Sequence, residues 1–166
     1  MAELFHEKNK VVLMSPGIVA HATTAGDCGY VSMKGYDSLS IYMFVDNATT
    51  VTGCAVTLKQ ATAVAGTSEK ALAFDTMWAL TDTSITSSVI TGEALTETAV
   101  TSSTFTTGTT DNKNMVYCME IKASDLDVAN GFDCVRLDGL LQANSVSCVV
   151  GILSDARYSG ADAVTN

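Results

Sequence analysis

The sequence predicts an all-β domain, an antiparallel sandwich or jelly roll, from three observations. Apolar and polar residues alternate with a period of two over several segments, as they do along strands. Residue pairs suited to tight or left-handed turns, such as Asn130-Gly131 and Asp138-Gly139, separate these segments. No window longer than about one helical turn has an apolar stripe with helical spacing. We therefore predict about seven to nine short strands in a single domain.

The N-terminal ten residues differ from the rest of the chain. They are polar, lack glycine and contain one apolar pair, Leu4-Phe5. We predict that residues 1–10 form an extended arm, which becomes ordered on a partner surface, and that residues 11–166 form the sandwich domain. The first strand is predicted to begin at Val11, Val12 and Leu13.

The strongest strand pattern covers residues 38–46. Four apolar side chains share one face of this segment: Leu39, Ile41, Met43 and Val45. Tyr42 and Phe44 lie on the other face, together with Ser38 and Ser40. Because both faces are partly apolar, we predict a central strand that is covered on both sides.

Further alternation predicts strands near residues 54–59, 71–75, 115–122, 133–137 and 145–153. Trp78, which follows the second of these, is interpreted as a core anchor. In the last segment one face collects the apolar residues Val146, Cys148, Val150 and Ile152. The best helical candidate is a short turn in residues 123–129, capped by Ser124.

A threonine-rich stretch occupies residues 81–110. Threonine is β-branched and favours pleated, half-exposed surfaces, so the stretch predicts short strands and loops. A disordered linker is disfavoured by interspersed apolar anchors: Val89, Ile90, Leu95, Val100 and Phe105.

Composition narrows the classes of function. Hydrophobic residues make up 47% of the chain and charged residues only 16%, yet no apolar run approaches the length of a spanning helix. We therefore expect surface hidden against other subunits and no membrane partner. The net charge of −9 argues against a nucleic-acid partner. With no signal sequence recognised and five unpaired, widely spaced cysteines, we expect synthesis in the cytoplasm and reduced thiols.

The sequence patterns that would indicate a metal site or a catalytic site are incomplete. A possible calcium loop comprises Asp125, Asp127, Asn130, Gly131 and Asp133. Its glycine comes one residue late and Arg136 stands where a bidentate glutamate is needed, so a solvated turn is favoured. The histidines, His6 and His21, both lie near the N-terminus, and no nucleophile elbow or phosphate loop accompanies them. We predict that the protein is not an enzyme and uses no metal or cofactor.

Several segments carry a resemblance to a known group of proteins. They are SMKGYDSLSIYM, VTLKQATAVAGTSEKALAF, YCMEIKASDLDVANGFDCVRLD and LSDARY. From about Tyr30 to Tyr158 the chain resembles small structural proteins of tailed bacteriophages, which are typically encoded near the capsid genes. The resemblance implies a β-sandwich that attaches to the outer surface of the capsid as a decoration or cement protein.

The resemblance also implies partners. These are the major capsid protein and further copies of the chain, as a homotrimer by preference or a dimer as second choice. A head-fibre or tail and receptor-binding module is the alternative, because similar sandwiches serve there too. The candidate capsid or subunit contacts are Leu4, Phe5, Val11, Val12, Leu13, Arg157 and Tyr158.

Overall fold

The computed structural model describes residues 5–15, 19–20, 28–83, 94–140 and 144–157. Within them the chain forms two antiparallel sheets, one of seven strands and one of five. The prediction of an all-β antiparallel sandwich is confirmed. The longest strands exceed the short ones predicted, since two of them extend over 12 residues.

The larger sheet contains the longest strands. Its members are β1 (Lys10–Leu13), β2 (Val19–Ala20), β4 (Tyr36–Asn47), β7 (Thr76–Thr83), β8 (Thr96–Ala99), β10 (Lys113–Lys122) and β12 (Ser145–Ala156). They are hydrogen-bonded in the order β1-β12-β4-β10-β7-β8, and β2 also pairs with β12. The predicted central strand is confirmed, because β4 pairs along its length with β10 and β12.

The smaller sheet contains β3 (Val31–Ser32), β5 (Ala55–Ala61), β6 (Lys70–Ala71), β9 (Thr104–Thr106) and β11 (Cys134–Asp138). The order is β3-β11-β5-β6, with β9 also paired to β5. Two 3-10 turns, at Ala123–Asp125 and Val128–Asn130, connect β10 to β11.

The core lies between the inner faces of the two sheets. The larger sheet contributes the predicted alternate positions of β4 and β10, all almost completely buried: Leu39, Ile41, Met43, Val45, Met115, Tyr117, Met119 and Ile121. The smaller sheet contributes Val56, Leu58, Val135 and Leu137. The Tyr117 hydroxyl accepts a 2.7 Å hydrogen bond from the Gly108 amide, so this buried ring has a polar partner.

The N-terminal segment protects one edge of the larger sheet. Strand β1 pairs with β12 from Lys10 to Leu13, and Val12 packs on the core. The amides of Met14 and Ser15 then donate to the Val149 carbonyl oxygen at 2.9 and 3.3 Å. Covering an edge in this way removes a template for unwanted strand pairing.

Part of the predicted arm is helical rather than extended. Phe5–Lys8 form a single turn, in which the Asn9 amide donates to the Phe5 carbonyl oxygen at 3.0 Å. Residues 1–4 lie outside the described residues. The division of the chain at residue 10 stays a prediction.

Several local predictions were wrong. Within a single chain the described residues do not cover the outer face of β4, since Phe44 is 45% exposed, and Trp78 lies on an outer face rather than in the core. The predicted helical turn is split into the two 3-10 turns. Its first turn is capped by the Asp125 carboxylate, which accepts from the Lys122 amide at 2.9 Å, and not by Ser124.

The threonine-rich stretch forms strands where it is described. Strands β8 and β9 lie in it, Phe105 is buried, and Val100 packs against the core. Leu95 is exposed and does not anchor the chain. The predicted anchors Val89 and Ile90 lie outside the described residues.

Candidate binding surface

The two sheets present outer faces of opposite character. On the smaller sheet, Lys59 of β5 and Arg136 of β11 are cross-strand partners. Lys59 bridges Glu69, at 2.6 Å, and Asp138, while Arg136 bridges Glu69 at 2.7 Å. The Tyr30 hydroxyl also donates to Glu69, at 2.7 Å. We call these five residues the charge network; it makes this outer face polar.

The outer face of the larger sheet is apolar across five strands. Strand register places its side chains in rows, one of which joins Leu13, Val150, Tyr42, Cys118 and Trp78. We define the apolar face as twelve residues: Val11, Leu13, Tyr42, Phe44, Trp78, Leu80, Val116, Cys118, Val146, Cys148, Val150 and Ile152. In this band no residue carries a formal charge at neutral pH, although the whole chain carries −9.

Strand β12 turns its more apolar side away from the core. Its inward positions include the buried serines Ser145 and Ser147, whereas Val146, Cys148, Val150 and Ile152 point outward and are half-buried. Sequence analysis grouped these four correctly on one face. The inward side still contributes Val149 and Leu153 to the core, but the outward side of this strand is the more continuously apolar of the two.

The inward positions of β12 are small because the core there is tight. A β-carbon on Gly151 would lie 3.0 Å from the Met14 sulfur and 3.1 Å from a Leu39 methyl carbon. The Ser15 hydroxyl accepts a 3.0 Å hydrogen bond from the Val149 amide at the same level. The core is therefore filled without the outward side chains, which are free to contact another molecule.

A groove of about 360 Å³ lies toward one end of the apolar face, next to the polar rim. Its outward-facing lining comes from four strands and comprises the apolar-face residues Phe44, Leu80, Val116, Val146 and Cys148 together with Asp46 and Asn114. Phe44, on the central strand, is one of its walls. A concave apolar feature beside an exposed aromatic ring suits protein contact, in which an aromatic anchor fills a pocket.

Polar residues frame this band at both strand ends. Toward one end, register places Ser38, Ser40, Glu120 and Lys122 on the same outer side of β4 and β10. Toward the other lie Asp46 and Asn114, and Glu97 of β8 adjoins Trp78. An apolar centre with a polar rim is the usual anatomy of a protein–protein interface.

The predicted contact residues do not lie together on one surface of the protein. Val11 and Leu13 lie on the apolar face, 48% and 58% exposed, whereas Val12 points inward. Phe5, 52% exposed, lies in the helical turn, which contacts β12. Arg157 forms an ion pair with Asp37 of the same chain. Leu4 and Tyr158 lie outside the described residues.

Sequence reasoning missed the centre of the surface. Phe44, Val116 and Leu80 were not selected, because alternation was interpreted only as a sign of burial. The available signal was the apolar character of both sides of residues 38–46, which indicates a second covered face without saying what covers it.

No disulfide joins the five cysteines. All five thiols are free, and only Cys148 is not fully buried. Burial, followed by the neighbouring Asp133 carboxylate, raises the pKa of Cys134 to about 12. A thiol held neutral in this way is a poor nucleophile.

The segment that resembled a calcium loop is occupied by internal contacts. Asp127 accepts hydrogen bonds from Lys70 and from Asn130, whose amide nitrogen lies 2.8 and 2.9 Å from its two carboxylate oxygens. The hydrogen bond from Lys70 is the main cause that lowers the pKa of Asp127. Among the described residues, no group of three or more His, Cys, Asp or Glu side chains could hold a metal ion.

Over the described part of the chain, no helix is long and apolar enough to span a membrane.

No family model matches the chain, and no curated protein matches it significantly. A similar solved structure is the crystal structure of the SPBc2 prophage-derived protein YomS, with a TM-score of 0.44 and 11% sequence identity. The alignment covers 89% of this chain and 93% of that one. A TM-score below 0.5 carries no argument about function.

Proposed function

We propose that the protein is a non-enzymatic structural subunit of a tailed-phage virion, bound to the outer capsid surface as a decoration or cement protein. Its partner there is the major capsid protein. Its effect is to stabilise the shell against opening.

The observation that carries this proposal is the apolar face. Monomeric proteins rarely expose contiguous apolar patches beyond a few hundred Å², and larger patches mark sites of protein association. The band spans five strands of an acidic chain whose other outer face carries the charge network. This contrast is expected of a subunit that functions in an assembly.

The phage assignment rests on the sequence resemblance. The segments that carry it include strand β5 with its following turn and the block from β10 to β11. Within these segments lie core residues such as Leu58 and Val135 and members of the charge network such as Lys59 and Arg136. The resemblance therefore covers residues that specify the sandwich itself.

Cementing follows from many weak contacts acting together. A subunit that bridges neighbouring capsid proteins contributes modestly, but a shell must break many such joints at once to open. The helical turn at Phe5 is a suitable contact, because its ring is half-exposed beside β12. In this role the short apolar segment packs between capsid subunits and catalyses no reaction.

Stoichiometry tests the proposal. Purified protein is added to particles that lack it, and the bound copies per particle are counted by quantitative mass spectrometry. A cement protein saturates at a number set by the lattice, in proportion to the copies of major capsid protein. Saturation at a handful of copies, with adsorption to cells lost when the protein is absent, would instead establish the head-fibre or receptor-binding alternative.

A narrower test concerns the N-terminal contact. Removal of residues 1–9 leaves β1 in place and takes away Phe5. We expect weaker capsid binding by this variant, measured by co-sedimentation. Val64→Glu, a change at an exposed valine in a turn on the other sheet, is the control. Unchanged binding of the truncated chain would exclude the arm as a capsid contact.

A further inference from the structure

We infer that the apolar face is covered by a second copy of the same chain, so that two larger sheets pack face to face in a twofold dimer. This inference deepens the proposed structural role, but it concerns the protein alone and does not depend on the capsid.

The size of the sheet fits such a dimer. With about 3.4 Å per residue along a strand and about 4.8 Å between strands, the apolar face covers about 400 Å² and the whole outer face about 800 Å². A standard stable interface buries about 800 Å² on each partner. The apolar face would supply the core of this interface, and the serines and charges at the strand ends would supply its rim.

Charge also favours a copy over other occupants. Two chains of −9 repel one another, and charges buried at their contact would add close repulsion and a desolvation cost. The apolar face brings no such charges into contact, since its twelve residues carry no formal charge at neutral pH. The ion pairs Lys59–Glu69 and Arg136–Glu69 lie on the outer side of the opposite sheet. A face-to-face dimer places these networks at its two outer surfaces, as far apart as the fold permits.

The shape of the surface points to twofold symmetry. An isologous interface needs one patch that is complementary to itself, and two identical twisted sheets meet this condition by packing as a sandwich. Phe44 on the central strand lies beside the groove formed with Val116 and Leu80. A ring and a groove on the same patch can pack against their counterparts in a second copy across a twofold axis. A trimer needs two different patches, so the dimer is the preferred oligomer.

Mutation of Phe44 tests the dimer. Wild-type protein at micromolar concentration is expected to have the mass of a dimer by sedimentation equilibrium. Phe44→Glu and Phe44→Lys are each expected to raise the dissociation constant about 30-fold or more, as for loss of a central aromatic contact. Charges of both signs are used so that a change in net charge cannot explain the result. Val64→Glu and Val64→Lys are the matched controls, since Val64 is 62% exposed and lies off the face.

A second measurement needs no mutation of the face. Cys148 is the cross-strand neighbour of Phe44 and the one cysteine that is not fully buried. In the wild-type chain its rate of alkylation should fall as protein concentration rises through the dimerisation range. This readout keeps the inference testable even if the Phe44 variants fail to fold.

The outcomes separate the inference from the proposed function. A wild-type monomer, a trimer, or a dimer that survives both Phe44 substitutions with concentration-independent alkylation would overturn the inference. If such a monomer binds capsids at lattice stoichiometry and Phe44→Glu abolishes that binding, the face belongs to the capsid and the proposed function stands. A dimer that fails to bind capsids would support the inference and remove the proposed function.

Discussion

At the scale of residues, Glu69 links the two basic side chains on the outside of the smaller sheet. The hydrogen bond from Lys59, and then that from the Tyr30 hydroxyl, lower the pKa of Glu69 from its ordinary value of 4.5. The ionised form is therefore favoured in the folded state. Its contribution is present above the unfolded pKa and is lost as pH falls through the lower, folded pKa.

Replacement of Glu69 should alter the response to acid. Because the group is partly exposed, we expect Glu69→Gln to lose less than about 1 kcal/mol at neutral pH. The substitution should also flatten the fall in thermal midpoint as pH drops below 4.5. Scanning calorimetry of both proteins across pH measures this, with Asp75→Asn, an exposed carboxylate outside the network, as control. Parallel curves for wild type and Glu69→Gln would contradict the account.

Two left-handed glycines with similar backbone angles have different surroundings. Gly139 has φ +85° and Gly131 has φ +80°. A β-carbon on Gly139 would lie 2.5 Å from the Ala55 carbonyl oxygen, whereas none of the surrounding atoms lies within 4 Å of one on Gly131. Sequence analysis predicted both as turn glycines, but only the fold reveals the second strand beside Gly139.

Alanine substitutions separate the cost of the angle from the cost of the contact. We expect Gly131→Ala to lose about 1 kcal/mol of unfolding free energy, because alanine disfavours this angle. Gly139→Ala should lose at least about 2–3 kcal/mol, because backbone must also move. Urea unfolding measures both, and equal losses would show that the close contact at Gly139 is unimportant.

At the scale of elements, strand β12 shows which features of the fold alternation predicts and which it does not. Alternation in residues 145–153 correctly separates its two faces, since side chains alternate along any strand. It does not tell which face is the core. The answer depends on the Met14 and Leu39 side chains, which crowd Gly151 from distant parts of the sequence. For the same reason Trp78 was placed in the core when it lies outside.

The position of β1 at the edge of the larger sheet predicts how truncation affects stability. Removal of residues 1–9 should change the unfolding free energy by about 0.5 kcal/mol or less, because Phe5 is half-exposed. Removal of residues 1–15 should cost about 3 kcal/mol or more, since Met14 is 3% exposed and Val12 packs on the core. It also uncovers the edge of β12, so we expect aggregation.

Chemical unfolding and light scattering compare the two truncated chains. The shorter truncation is the control for the longer one, because only the longer removes β1 and the contacts of Met14 and Ser15 with Val149. Equal stability of the two would mean that β1 contributes little to the sheet.

At the scale of the whole molecule, the sandwich has one polar and one apolar outer face. The members of the charge network on the smaller sheet bind one another, whereas the apolar face on the larger sheet is partly exposed. This two-sided arrangement agrees with the expectation, drawn from an apolar and weakly charged composition, that surface is hidden against other subunits. Composition predicts such a surface without placing it, and strand register identifies the apolar face as the candidate.

The temperature at which particles release their DNA tests the cementing role most directly. Particles without the protein are titrated with the wild-type chain, and DNA release on heating is followed with an intercalating dye at each occupancy. We predict that the release temperature rises with occupancy and levels off when the lattice is saturated. An unchanged release temperature at full occupancy would contradict the cementing role, whatever the protein binds.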